Sequence, residues 1–320
     1  MTPIVTVYCM AYNQSQYIRQ TIEGFINQKT TFPYEIIIHD DASTDGTGEI
    51  IKEYAKRYSD IIIPIIQVEN QYSKGVKILD EIVFPRIKGK YIAICEGDDY
   101  WCDPEKLQKQ VDWMEEHIDY SLCAHNSRYE DCANGTFDSF NTIQQDRDFS
   151  FEEILYGGKN GRTVFHTSSI LFRKEYALLP DAFLVKGMGD YPRYLYLATC
   201  GKVHCLADVM SVYRANVPGS WTYKMKTGAD AQKKTVEHAH NIRVMLEKVD
   251  VATRGKYAQS IKKAINTLEY KELYIQADVK TIKRKYKNNY KQLRIIEKIK
   301  LHIRAIFPDA VNKYIAIRRK

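Results

Sequence analysis

Tyr91-Ile-Ala-Ile-Cys-Glu-Gly-Asp-Asp-Tyr-Trp-Cys-Asp103 is the stretch on which the reading of the chain turns. Residues 91–94 are mostly apolar and read as a buried strand, and Glu96, Gly97, Asp98 and Asp99 follow at once. Close carboxylates repel one another, and burial raises that cost unless a cation or hydrogen-bond donors offset it. A hard divalent cation, Mn2+ or Mg2+, is the simplest offset, because it takes oxygen ligands and keeps room for substrate phosphates. The turn is therefore the candidate working centre. Asp103-Pro104 then opens a helix, with Asp as the cap and Pro at the first helical position. Leu107, Val111 and Met114 form its inward face.

Upstream, a similar device occurs earlier in the chain. Residues 4–10 read as a first strand, ended by Ala11-Tyr12-Asn13, and a helix follows with Ile18, Ile22 and Phe25 on one side. Residues 34–38 read as a second strand that ends in His39-Asp40-Asp41-Ala42-Ser43-Thr44-Asp45-Gly46-Thr47. After another helix, residues 61–66 make a third strand, with Pro64 arguing for an edge position. A helix is expected over about residues 75–84. Strands that are apolar throughout and alternate with helices predict a mainly parallel sheet with helices on both faces. In such sheets ligands bind beyond the carboxyl ends of the strands. Asp40, Asp41, Asp98 and Asp99 all fall at carboxyl ends, so one crevice can hold them together.

Downstream, residues 121–129 read as a strand and 130–148 as a long polar loop. Ser150-Phe-Glu-Glu153 is a capping box opening a short helix. Residues 163–172 are strand-like and contain His166, which can orient an acceptor or phosphate, though a buried hydrogen-bonding histidine is the plainer reading. His39 reads as sheet packing. Asp190 ends a loop with two glycines and starts a helix that stops at Gly201; its plainest role is an N-cap. Residues 203–206 and 209–213 read as two short strands. Arg214 leads into a loop with Pro218-Gly219-Ser220-Trp221, where it can pair with a diphosphate and Trp221 can stack on a sugar. A surface ion pair and a packed indole are the alternatives.

The chain has 320 residues, 44% of them hydrophobic, and no run of eighteen apolar residues that would span a membrane. The first twelve residues read as a strand rather than a signal peptide. Seven scattered cysteines without a Cys-x-x-Cys pair predict free thiols in a reducing, cytoplasmic setting. The net charge of +7 is unevenly placed: residues 281–320 hold 13 Lys/Arg against two acids, while the rest holds 34 basic and 38 acidic residues. Residues 287–307 read as one amphipathic helix, with Leu293, Ile296, Ile299 or Lys300, Ile303 and Phe307 at helical spacing beside a face bearing Lys287, Lys291, Arg294 and Lys298. Such a helix can lie peripherally on an anionic membrane, pack on the rest of the chain, or join a homo-oligomer. An acidic body with no base-reading module argues against nucleic acid.

Ala11-Tyr12-Asn13, Asp40 to Thr47, Glu96-Gly97-Asp98-Asp99 and Gly189-Asp190 resemble, in order and spacing, the motifs of family 2 glycosyltransferases. Val209-Met-Ser-Val-Tyr-Arg214 is similar to the end of their catalytic domain. The resemblance covers about residues 1–225 and implies a GT-A fold. It divides the chain into a catalytic domain, 1–225, with a donor-nucleotide part (1–120) and an acceptor part (121–225), and a helical basic region, 226–320. It implies inverting transfer of a sugar from a nucleotide-diphosphate sugar to a saccharide or lipid-linked acceptor, in bacterial cell-surface polysaccharide or glycolipid synthesis at the inner membrane face. Tyr12 and Asp40 match nucleobase positions, by stacking and by hydrogen bonding. Asp98 matches a ribose or metal contact, Asp99 the ligand of Mn2+ or Mg2+, and Asp190 the general base. Glu96 stands where the family often has Asp, with a longer reach to the metal or a water. The Gln-x-x-Arg-Trp motif of processive members is absent, which implies one sugar per acceptor.

Two other classes compete. A sugar-phosphate nucleotidyltransferase would also hold a metal and a nucleotide with carboxylates, but it usually carries a Gly-rich basic loop after the first strand, where this chain has Ala11-Tyr-Asn-Gln14. A non-catalytic scaffold or membrane-tethering module would have no need of both Asp pairs and Asp190.

Overall fold

The structure, a computed structural model, describes residues 1–141, 143–158, 163–185, 189–220, 222–223 and 230–307. The chain divides into two compact units. One comprises Met1–Leu179 with Arg193–Val217, the other Pro180–Pro192 with Pro218–Lys320.

The first unit is built on a ten-stranded sheet. One half of it consists of β1 (Val5–Ala11), β2 (Tyr34–Asp40), β3 (Ile62–Ile66) and β4 (Tyr91–Glu96), side by side in the order β3-β2-β1-β4, with β3 at the edge, and all parallel. The central strands are buried almost throughout, which is why their sequences run apolar instead of alternating. Two of their buried polar residues satisfy each other: the Thr6 hydroxyl donates to Glu35 Oε1 at 2.6 Å. Pro64 sits on the edge strand β3, where a missing N–H costs no ladder bond. Amphipathic helices α1 (Ile18–Ile26), α2 (Thr47–Arg57) and α3 (Lys106–Glu116) flank the sheet. Gly24 lets α1 approach the sheet closely, since a Cβ there would lie 2.9 Å from the Trp101 carbonyl oxygen.

The sheet is mixed, which corrects the expectation of a mainly parallel one. Beyond β4 come β9 (Leu171–Arg173), antiparallel to both neighbours, then β6 (Tyr120–Asp131), β10 (Lys202–Ala215) and the two-residue β5 (Tyr100–Trp101). β6 and β10 run parallel to each other. β7 (Thr136–Ser139) and β8 (Arg147–Phe149) add antiparallel ribbons. Residues 130–148 are thus not a plain loop: a turn closed by Gly135, whose N–H bonds the Asp131 carbonyl at 2.7 Å, folds β7 back on β6. The exposed, polar faces of β7 hide it from hydrophobic patterning. The expected pair of strands over 203–213 is one strand, β10, with register shifts at Leu206/Val209 and Val209/Ser211.

Two further expectations fail for local reasons. Residues 163–172 are strand only at their end. Before it, Thr167–Ser169 forms a 3-10 turn in which the Ser169 hydroxyl donates to the His166 carbonyl at 2.7 Å. Short polar side chains there compete with ladder bonding. The helix expected over 75–84 is one wide helical segment, Ile78–Val83, continued by Phe84–Arg86; Pro85 forbids a regular helix. The capping box at Ser150 is formed as read, opening α4 (Phe151–Tyr156).

The second unit is helical. α6 (Ala231–Ala252) and α7 (Ala258–Gln276) are joined by a turn with Arg254 and Gly255 at positive φ. Arg243 on α6 pairs with Glu272 at 3.0 Å and Glu269 at 3.7 Å on α7. α8 (Val279–Lys285), α9 (Lys287–Gln292) and α10 (Ile295–Ile306) follow around a small core of Ala277, Ile282 and Leu301. The single helix expected over 287–307 is therefore two. Leu293 is extended, and at Arg294 the backbone N–H donates to Glu297 Oε2 at 2.8 Å, which makes a fresh N-terminus for α10. No helix among the described residues is long and apolar enough to cross a membrane.

Candidate active site

β2 and β4 flank β1, with Ala11 opposite Asp40 and Met10 opposite Glu96. The topology therefore brings the turns after all three strands to one edge of the sheet, and with them Tyr12, Asp40, Glu96, Asp98 and Asp99. These turns are stitched together. Asn13, at φ 53°, donates its N–H to Ser43 Oγ at 2.8 Å and accepts from Thr44 N at 2.8 Å. Gln14 N–H donates to Thr47 Oγ1 at 2.8 Å, and Ser15 N–H to Asp45 at 2.9 Å. Burial would raise the Asp45 carboxyl, but bonds from Thr47 and Ser15 outweigh it and hold the value below the ordinary one. Asp40 accepts from the Ser43 hydroxyl and backbone, and burial still leaves its carboxyl raised. Tyr12 stands 45% exposed at the rim, open to a planar ligand. Asp41, beside Asp40, accepts from Gln71 N at 2.7 Å and Tyr72 N at 3.1 Å and so shapes the loop after β3.

The acidic turn is held from three sides. Gly97 is closely packed: a Cβ there would lie 2.4 Å from Gln14 Oε1 and 3.1 Å from both Ala11 Cβ and Ile18 Cδ1, so these side chains would have to shift. The Thr21 hydroxyl on α1 lies 2.9 Å from the Gly97 carbonyl and 2.6 Å from that of Asp99. From β10, Arg214 donates its backbone N–H to Asp99 Oδ1 at 2.8 Å and its guanidinium to the Asp98 carbonyl at 2.8 Å. That guanidinium also bonds Gln20 and lies 4.4 Å from the Tyr100 ring centroid and 5.2 Å from that of Tyr17. It is buried and engaged within the fold, so in this geometry Arg214 is a clamp on the acidic turn rather than an arm reaching into solvent.

One atom in this turn stands out. Asp99 is fully buried, and its Oδ2 has no hydrogen-bond partner. Oδ2 faces His166 Nε2 at 3.5 Å. Glu96, Asp99 and His166 each present a ligand atom, all within 4.8 Å of one another. Burial, and then the charges of Asp98 and Glu96, push the Asp99 carboxyl well above its ordinary value, and burial raises Asp98 too. Burial drives the His166 imidazole down to about 3, so it is neutral, the form that ligates metals. Two carboxylates and a neutral imidazole suit Mn2+ or a similar divalent cation. An orphaned buried oxygen aimed into the cluster fits the same group, since a buried carboxylate without a counter-charge is costly.

His166 was not legible as part of this cluster. It comes 67 residues after Asp99, and the sheet alone brings them together. Its Nδ1 lies 2.7 Å from Ser168 Oγ, which donates to Ser211 Oγ at 3.0 Å; Ser127 Oγ lies 2.9 Å beyond. Nδ1 also lies 3.3 Å from the Ser168 backbone N–H, which donates to it in the tautomer protonated at Nε2; the tautomer that instead donates Nδ1–H to Ser168 Oγ leaves the Nε2 lone pair toward Asp99. The available signal was the polar run His166-Thr-Ser-Ser169 inside an apolar stretch. Buried polar side chains in such a run need partners.

Asp190 lies in the second unit, half-buried, directly before α5 (Tyr191–Cys200). Trp221 lies outside the described residues. His39 is fully buried in β2, its Nε2 3.2 Å from Gln67 Nε2. All seven cysteines are free thiols.

A family model described as glycosyl transferase family 2 matches residues 6–177. An uncharacterized protein of Mycobacterium tuberculosis is 37% identical over 221 residues, 68% of this chain and 60% of that relative's length. This chain's match therefore spans less than two thirds of that longer protein. TuaG of Bacillus subtilis, named as a teichuronic acid biosynthesis glycosyltransferase, is 30% identical over 244 residues, covering 70% of this chain and 86% of TuaG. Among solved structures, residues 1–349 of Staphylococcus aureus TarS in complex with UDP-GlcNAc superpose with a TM-score of 0.55 at 15% identity, over 86% of this chain and 80% of that one. At that identity the likeness concerns the fold.

Proposed function

The chain belongs to glycosyl transferase family 2, and on that footing we propose that it transfers one sugar from a nucleoside-diphosphate sugar to an acceptor hydroxyl, with inversion at the anomeric carbon. The observation that carries the reading is the buried cluster of Glu96, Asp99 and His166 at the carboxyl edge of the sheet, with Asp99 Oδ2 lacking a partner. These three residues would hold a divalent cation, which when bound supplies a Lewis acid against the charge that builds on the departing diphosphate. Tyr12 stacks on the nucleobase and Asp40 takes a hydrogen bond from it. Asp98 binds the ribose, with Arg214 fixing the turn that carries it.

Asp190 takes the proton of the attacking hydroxyl as that oxygen bonds to the anomeric carbon and the nucleoside diphosphate leaves. It can do so only within about 3 Å of the hydroxyl in the complex. One base and one direct displacement give inversion. Trp221 covers the donor sugar. The acceptor is a saccharide or a lipid-linked saccharide of a cell-surface polymer, in line with the process for which TuaG is named.

The test is a calorimetric titration of UDP, GDP, dTDP and CDP, each with and without Mn2+, against wild type and Asp99→Asn. Binding of one diphosphate that requires both Mn2+ and Asp99 supports the reading and names the donor nucleotide. A folded protein that binds none of the four overturns it.

A further inference from the structure

The last described helix, α10, has an inner and an outer face of different character. Leu301 points inward and is fully buried in the small core with Ala277 and Ile282. At about 100° per residue, Ile295, Ile296, Ile299, Ile303, Ile306 and the following Phe307 fall within an arc of about 120° on the other side. Each is between 46% and 77% exposed. Five large apolar side chains on one face of a twelve-residue helix, with Phe307 directly after it, are not the scattered exposure of an ordinary surface. Lys298 borders the stripe on one side and Lys300 on the other. Over residues 281–307 there are nine Lys/Arg against the single acid Glu297.

We propose that this face of α10 docks on an anionic lipid surface, lying in the plane of the interface with the isoleucine stripe in the acyl boundary. The pattern of charge selects this occupant. Long lysine side chains at the borders of an apolar stripe can bury their stems along it and keep their ammonium groups at headgroup level. The surplus of positive charge in the same stretch meets a negative surface. A second copy of the chain is disfavoured, because a two-fold contact through this stripe would bring two strongly basic surfaces together. Nucleic acid would satisfy the lysines, but phosphates have no use for the isoleucines. The unbroken helix anticipated over 287–307 would have spread its basic residues along one long face; the break at Leu293–Arg294 confines the apolar stripe to α10.

The surface is tested without any sugar nucleotide, so its outcome is independent of the transferase reading. Full-length protein is floated with vesicles of phosphatidylcholine alone and with vesicles containing about 30% phosphatidylglycerol, at about 0.1 M and about 0.5 M salt. The expected result is binding to the anionic vesicles at least about tenfold tighter than to the neutral ones, weakened at the higher salt. Ile299→Glu/Ile303→Glu should lose about tenfold or more, with circular dichroism reporting that the helices are intact. Lys298→Glu/Lys300→Glu keeps the stripe and should lose the preference for anionic vesicles. No binding to anionic vesicles, equal binding to both kinds, or binding untouched by both double variants overturns the proposal. So does sedimentation showing a dimer that Ile299→Glu/Ile303→Glu dissociates while vesicles bind nothing, since a second copy would then be the occupant.

Discussion

The acidic turn of the sheet and the last described helix treat unfavourable groups in opposite ways. At the turn, carboxylates that would be solvated on any surface are buried, one of them with an oxygen left unpaired. On α10, apolar side chains that would stabilise any core stand in the open. Both arrangements cost folding free energy relative to the obvious alternative, and each points to a missing partner: a cation for the first, an apolar and anionic surface for the second. The difference lies in how rigidly the groups are held. Gly97, Thr21, Arg214 and the Ser168–Ser211–Ser127 chain fix the turn from several directions. α10 is tied in through Leu301 in its small core and by bonds from Arg304 to the Tyr274 carbonyl and between His302 and Tyr290. Substitutions at the turn should therefore have large and compensating effects, and substitutions on the outer face of α10 almost none on folding.

The largest effect is expected at Asp99. Asp99→Asn should weaken Mn2+-dependent binding of the nucleoside diphosphate by at least about 100-fold, because a carboxylate ligand is lost. In metal-free buffer the same variant should melt higher, by a few degrees for about 1 kcal/mol. It removes a buried charge crowded by Asp98 and Glu96, while its amide oxygen can still accept from Arg214 N. Differential scanning calorimetry with chelator reads the second half. A lower melting temperature would mean that the turn is already balanced without a cation, and the contrast with α10 would fail.

Lys106 extends the same logic to a basic group. It is fully buried on α3, with Nζ 2.7 Å from Gln110 Oε1 and 4.1 Å from the centroid of the Trp101 ring. Burial drives its value from 10.5 down to about 7, although the indole face favours the charged form. Between those two values the unfolded chain holds a proton that the folded chain has released. Stability therefore rises with pH across that window, by up to a few kcal/mol at about 1.4 kcal/mol per unit. Lys106→Met should be the more stable protein at pH 7, and its lead should shrink toward pH 10. Urea unfolding at pH 7 and 9.5 measures this; parallel pH profiles for the two proteins would show that the ammonium is retained and compensated in the fold.

Next comes the support of His166. Ser168→Ala removes the oxygen that orients Nδ1, and Mn2+ affinity should fall about tenfold with little change in melting temperature. Ser168→Thr, which keeps the hydroxyl, should restore most of it. An unchanged affinity in Ser168→Ala would place the imidazole outside the metal shell.

How much of this was legible before the fold was known follows a physical line. The parallel half of the sheet was readable because strands buried on both faces must be mostly apolar, as residues 36–38 and 91–94 are. The carboxylates at their ends were readable as an arrangement too costly to be structural. What stayed hidden depends on pairings that leave no local pattern. β7 and β9 are short and made partly of polar residues, and their partners alone define them. His166 joins Asp99 only because β4 and β6 both pair with β9. Arg214 was readable as a residue that follows a strand and leads into a loop, but its bond to the Asp98 carbonyl and its place beside Tyr17 and Tyr100 depend on pairings that the sequence does not display. The break before α10 was hidden because Leu293 keeps the helical hydrophobic period while its backbone leaves it.

The smallest effect belongs to the outer face of α10. Ile299→Glu and Ile303→Glu replace residues that are already 48% and 46% exposed, so each should change unfolding free energy by no more than about 0.5 kcal/mol. A carboxylate at position 303 would sit one turn from Lys300 and Phe307, and a carboxylate at position 299 one turn after Ile295, so no buried contact is broken in either case. Chemical denaturation of the two single variants checks this. A loss above about 2 kcal/mol, the range of a core truncation, would mean that the isoleucines are covered by other parts of the molecule in solution. In that event the two regions would no longer differ in kind: both would be internal surfaces, and the surplus of lysine around α10 would be left as ordinary solvated charge.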